Sequence, residues 1–214
     1  MTYPLDEMVR DARVCMDVDR EDAPLLAEGD GGALRLDDVL RSKALEAVDW
    51  AHASAPYHFL DGGHNLGGVD TLTWRGEGCG EVLLPDDFLR LLVFEMSDWE
   101  RSVYALLTPG DAGYPRLRSR VRALRGTPQR PVCALGVRGD GRVLEFYSCR
   151  DEGATVSKGV YVPRARVDGH GGVEVSERCR LGAVYALAGL ALLTCGEREQ
   201  GSALMEMAKQ RLQQ

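Results

Sequence analysis

The chain of 214 residues carries four histidines, His52, His58, His64 and His170. His58 and His64 are close in sequence, and Asp61 lies between them. Imidazole and carboxylate both ligate zinc, so His58, Asp61 and His64 form the pattern with the best claim to a metal. Their spacing matches no H-E-x-x-H motif, which needs two imidazoles on one helix face. Polar loop residues following a helix are the better account, and no metal ligands are assigned. The six cysteines, Cys15, Cys79, Cys133, Cys149, Cys179 and Cys195, include no C-x-x-C pair. Cys79, between Gly78 and Gly80, is the one expected to be open to solvent. A nucleophilic thiol needs a base and an electropositive setting, and no local signature supplies them. No G-x-S-x-G elbow and no G-x-x-x-x-G-K-[ST] phosphate loop is present. Asp86-Asp87 after Pro85 reads as a turn before a strand. The sequence therefore nominates no catalytic residue and calls for no cofactor.

One cluster stands out by charge. Arg116, Arg118, Arg120, Arg122, Arg125 and Arg130 fall within fifteen residues. In an extended segment the first four share a face; in a helix Arg118, Arg122 and Arg125 do. Guanidinium forks bind phosphate and carboxylate through paired hydrogen bonds. The cluster is thus a candidate contact with nucleic acid or with an acidic neighbouring subunit, set against a plain solvated face.

The bulk composition narrows the class. Apolar residues make up 44% and charged residues 28%, as in ordinary globular proteins. A net charge of −7 disfavours whole-surface binding to nucleic acid while leaving room for a local basic patch. The longest apolar run, Leu181–Cys195, contains Gly182, Gly189 and Thr194 and reads as a buried helix rather than a membrane span. The first residues lack the basic and apolar regions of a signal peptide, so the chain is expected to stay where it is made, with reduced cysteines used as small core residues.

The elements that must carry these residues follow from periodicity. Helical stripes run over Tyr3–Asp17 (Leu5, Met8, Val9, Ala12, Met16) and over Leu36–Ala51, with Pro56 closing the second. A break from Pro24 to the Gly29–Gly32 turn separates them. A glycine-rich stretch, 61–80, precedes a region of period two. Strands are expected at Thr71–Trp74, Glu81–Leu84, Phe88–Met96, Arg101–Leu107, Arg130–Val137, Arg142–Ser148 and Gly159–Pro163. Gly139-Asp140-Gly141 makes a hairpin turn. Helical period returns from Ser176, in two segments broken near Gly196. Helices, then strands, then helices predict an α+β fold. Residues 1–60 and 176–214 form a small bundle, and an antiparallel sandwich or barrel-like region, 61–175, is inserted into it as part of one structural unit.

The order of several phrases carries a resemblance. The helix Leu36–Ser54 precedes Val82-Leu83-Leu84-Pro85-Asp86-Asp87-Phe88-Leu89-Arg90-Leu91. Trp99 and Arg101 follow, then Arg125-Gly126-Thr127-Pro128, Pro131-Val132-Cys133-Ala134-Leu135 and Leu144-Glu145-Phe146-Tyr147-Ser148. Tyr161-Val162-Pro163 precedes final helices containing Tyr185, Ala186, Ala188, Gly189, Ala203 and Leu204. Over most of residues 36–212 the chain resembles the head-to-tail connector, or portal adaptor, proteins of tailed bacteriophages, the tail tubular protein A-like group. The resemblance implies a non-enzymatic structural protein that forms an oligomeric ring on assembly. Its partners would be copies of itself, the phage portal protein and tail components, with transient contact to packaged DNA passing through the ring and no membrane. The helical part would dock on the portal and the β part would face the tail. The place of action would be the virion, after assembly in the bacterial host cytoplasm, or a prophage product. The alternatives are a metal-dependent or small-molecule enzyme using His58, Asp61 and His64, and a nucleic-acid-binding module using Arg116–Arg130.

Overall fold

A computed structural model describes residues 1–16, 35–66, 71–119 and 121–213. The turn expected between Pro24 and Gly32 and the side chain of Arg120 lie outside the described residues. The chain is mixed α and β, with four α-helices and three antiparallel sheets among the described residues. It divides into two compact units, Met1–Gly62 with Arg164–Gln214, and Gly63–Pro163.

The first unit is helical. Helix α1 (Leu5–Cys15) buries Met8, Val9 and Ala12, which recur at the step of a single helix face. Helix α2 (Leu36–Ser54) is held at its start by Asp38, whose carboxylate accepts the Arg35 N–H at 3.3 Å. It stops just before Pro56, which cannot supply the N–H a further turn needs. Helix α3 (Arg180–Thr194) is apolar almost all round and packs against α1, α2 and α4 (Arg198–Arg211). A helix with so little polar surface is stable only when enclosed. Two short strands join this unit: β1 (Thr2–Pro4) pairs with β9 (Gly172–Glu174). The segment from Arg164 to Val175, read from sequence with the β region, therefore groups with the helices. Its Ala165 N–H is also tied to the Asp49 carboxylate of α2 at 2.7 Å.

The second unit holds two larger sheets. Strands β2 (His64–Asn65), β8 (Val156–Pro163) and β5 (Phe88–Met96) form one, in the order β2-β8-β5. Strands β3 (Leu72–Gly76), β4 (Cys79–Leu83), β7 (Gly141–Phe146) and β6 (Cys133–Arg138) form the other, in the order β3-β4-β7-β6. Residues Gly139 and Asp140 turn β6 into β7, with Arg138 opposite Gly141. One apolar core takes Val82, Cys133, Leu144 and Phe146 from the second sheet and Leu91, Phe94, Met96 and Tyr161 from the first. The Phe146 ring is ringed by Trp74, Phe94 and Trp99 at centroid distances of 5.3, 6.1 and 6.4 Å. Gly80 makes this possible, because a Cβ there would strike the Phe146 ring.

Two sequence expectations change. Among the described residues no sheet closes into a barrel: β3 and β6 end the four-stranded order without pairing to each other. The segment Arg101–Leu107 is not a strand. Val103 bridges Phe94 in one sheet and Leu107 bridges Ala134 in the other. A segment crossing between sheets cannot run alongside either. No helix among the described residues is long and apolar enough to cross a membrane.

Candidate functional site

The outer face of the four-stranded sheet carries the most concentrated polar chemistry of the second unit. Antiparallel register places Glu81 of β4 directly opposite Glu145 of β7. Directly opposed carboxylates repel across a ladder, so the pair needs cations. Arg75 from β3 reaches Glu81 Oε2 at 3.3 Å and Glu145 Oε1 at 3.2 Å. Arg138 from the end of β6 donates to Glu81 at 3.1 Å and also to Glu145. The Tyr147 hydroxyl donates to Glu145 Oε2. Glu145 is only 6% exposed, and Gly136 on β6 leaves space for its carboxylate. Burial pushes the Tyr147 phenol well above its ordinary range, and the neighbouring Glu145 charge adds to this.

A cleft of about 390 Å³ opens over these residues. Its far wall is the short 3-10 turn Tyr114–Arg118, seated by the buried Leu117. Arg125 closes one end, donating to Glu77 Oε2 at 2.7 Å and to Cys79 Sγ at 3.6 Å. The Arg125 hydrogen bond holds the Glu77 carboxyl below the usual range. Burial raises the Cys79 thiol despite the nearby guanidiniums.

This geometry decides what the cleft can do. Glu81 and Glu145 are each engaged by two guanidiniums, so neither is a free general base. Cys79 is buried, contrary to the solvent-open position expected from its glycine neighbours, and the side chain that donates to its sulfur is an arginine. A protonated thiol beside a cation with no base is not an activated nucleophile. Arg118 lines the cleft with no carboxylate within ion-pair distance among the described residues. The Arg118 guanidinium is therefore the cation that the cleft presents to solvent.

The arginines singled out from sequence are not one face. The stretch is neither a strand nor an α-helix but two 3-10 turns, Tyr114–Arg118 and Arg122–Leu124, followed by a bridge between Thr127 and Arg130. Arg118 and Arg125 turn to the cleft. Arg122 donates to the backbone carbonyls of Cys149 and Arg150. Arg116 is exposed, Arg130 is exposed with its N–H bonded to Thr127, and Arg120 lies outside the described residues. Arg75, Glu81, Arg138 and Glu145 were missed because four strands deliver them from distant positions. The one local signal was a carboxylate and a tyrosine, Glu145 and Tyr147, sharing a strand face with Val143 and alternating with Leu144 and Phe146.

The histidines lie elsewhere. His58 is exposed edge-on to Phe59. Asp61 caps the approach to α3: its carboxylate accepts the Glu177 N–H at 2.8 Å, and its own N–H donates to Ser176 Oγ. His64, on β2, is exposed edge-on to Tyr161. Among the described residues no group of three or more His, Cys, Asp or Glu side chains could hold a metal ion. All six cysteines are free thiols, with Cys79, Cys133, Cys149 and Cys179 buried. No protein-family model matches the chain, and no curated protein matches it.

Proposed function

We propose that this chain is a structural assembly protein of a tailed-phage virion, a portal-adaptor-like subunit that forms a ring and joins portal to tail. In this reading the helical unit is a small bundle and Gly63–Pro163 is a sandwich-like insertion presented by it. The observation that carries the proposal is the division of the chain. Helices from both ends share one core, Met8, Leu40, Val48 and Leu187 among it, and the strands between them own a second. That is the division of labour the resemblance implies, with helices toward the portal and strands toward the tail. The engaged carboxylates of the cleft support it as well, since they leave binding surfaces rather than a reaction centre.

The test is reconstitution. The purified chain is mixed with the portal protein encoded nearby and imaged by electron microscopy. A ring of this chain capping the portal is the expected result. A folded chain and an intact portal that do not associate overturn the adaptor role.

A further inference from the structure

Charge is sharply segregated along this chain. Residues 112–139 contain seven arginines and neither Asp nor Glu, in a chain of net charge −7. Residues 17–30 contain six acids and one arginine. The structure turns the basic stretch into a specific surface. The turn Arg122–Leu124 and the bridge from Thr127 to Arg130 border a groove with Ala123 and Pro128 along it and Arg122 and Arg150 at its edges. Beside it Val121 and Leu124 are each 57% exposed. Aliphatic side chains held this far into water among cations suit a partner that is apolar at its centre and acidic at its flanks.

The acidic segment has that pattern. Ala23-Pro24-Leu25-Leu26-Ala27 is bounded by Asp17, Asp19, Glu21 and Asp22 on one side and by Glu28 and Asp30 on the other. It lies outside the described residues. We infer that the groove beside residues 121–130 of one copy receives the acidic, apolar-centred segment 17–30 of a second copy. The inference rests on the ring-assembly reading and specifies its subunit contact. The contact joins different surfaces of the two copies, and a head-to-tail contact of this kind closes into a ring when its rotation permits. Arg122 is already engaged by two backbone carbonyls and Arg150 by Glu100 at 3.7 Å, so a ligand held by charge alone gains little here. Nucleic acid therefore fits less well: phosphates would leave Val121 and Leu124 without partners, and the net charge opposes approach.

Complementation tests the contact with full-length chains. One variant carries Arg122→Gln and Arg150→Gln; the other carries Asp17→Asn, Asp19→Asn, Glu21→Gln and Asp22→Asn. Sedimentation at low salt is expected to show concentration-dependent oligomers for the wild type and monomers for each variant alone. An equimolar mixture of the two is expected to stop at a 1:1 heterodimer, because one intact groove then meets one intact segment. Arg122 also holds two backbone carbonyls, so Val121→Ser with Leu124→Ser, both at exposed positions, serves as a second groove variant with the same expected behaviour. A wild-type chain that stays monomeric overturns the contact but leaves the portal experiment standing. Variants that associate like wild type, or a mixture that stays monomeric, overturn it too. Oligomers absent while a DNA oligonucleotide binds, and is lost with the groove variants, would assign the groove to nucleic acid instead.

Discussion

Glu145 shows how a buried charge is tolerated: two guanidiniums and a phenol hydroxyl surround it, and a glycine makes its space. Removing the carboxylate leaves Arg75 and Arg138 sharing Glu81 alone. Glu145→Ala is expected to cost about 2–3 kcal/mol, below the full figure for a buried pair because both arginines are partly exposed to solvent. Urea unfolding of wild type and variant measures it. His52 is a second buried polar residue, and its Nε2 accepts the Ser176 N–H at 3.1 Å. Burial lowers its pKa below the usual 6.5, against the opposing pull of Asp49, Glu174 and Asp61. The unfolded chain therefore takes up this proton at a higher pH than the folded chain does. The His52 contribution to stability is full above the unfolded value of about 6.5 and is lost as pH falls from there toward the lower folded value. Urea midpoints are expected to drop between pH 7.5 and pH 5. His52→Leu should flatten that drop while costing about 1–2 kcal/mol at neutral pH, because the buried Ser176 amide loses its acceptor. Neither residue announced its role in sequence. Arginine density was legible as composition, but which arginines meet a carboxylate depends on register between strands far apart in the chain.

At the scale of elements, legibility followed periodicity. Helix α2 and strand β5 appear at the expected bounds because each presents a long, regular apolar pattern. Strands β1, β2 and β9 span two or three residues each, too few to establish any period. Tyr3 and Pro4 of β1 fall inside the expected helical stripe Tyr3–Asp17 for that reason, although Tyr3 packs under the Arg180 guanidinium and donates to Asp11. Gly189 and Gly201 bring the backbones of α3 and α4 together. A Cβ on Gly189 would lie 3.0 Å from the Gly201 carbonyl of α4, and one on Gly201 would lie 3.0 Å from the Gly189 carbonyl of α3. In an open helix, alanine in place of glycine gains about 1 kcal/mol. Here backbone meets backbone, which cannot yield as a side-chain tip would. Gly189→Ala and Gly201→Ala are each expected to destabilise by about 1–3 kcal/mol, the range for overpacking. Thermal unfolding decides between these opposite signs.

For the whole molecule, the decisive feature is where the chain passes from one unit to the other. It goes into the β unit at Gly63 and leaves it at Pro163. Just inside those points His64 lies opposite Tyr161 and Asn65 opposite Val160, as antiparallel neighbours. Such partners sit about 5 Å apart between Cα atoms, so the two junctions are adjacent and a short linker spans them. Each unit also closes its own core, and no strand pairing among the described residues joins residues of one unit to the other. Two predictions follow from the same geometry. Residues 63–163 produced alone should unfold cooperatively in urea and retain dispersed amide resonances. The chain with 63–163 replaced by a short Gly-Ser linker should keep its helical circular dichroism, because the linker closes a gap the native chain already holds shut. Loss of cooperative unfolding in either piece would mean that the cores, though separate in composition, are not separate in stability. Two cooperative pieces would mean that the surfaces of the helical unit and of the β unit can vary independently, which the proposed adaptor role requires of a protein set between two unlike neighbours.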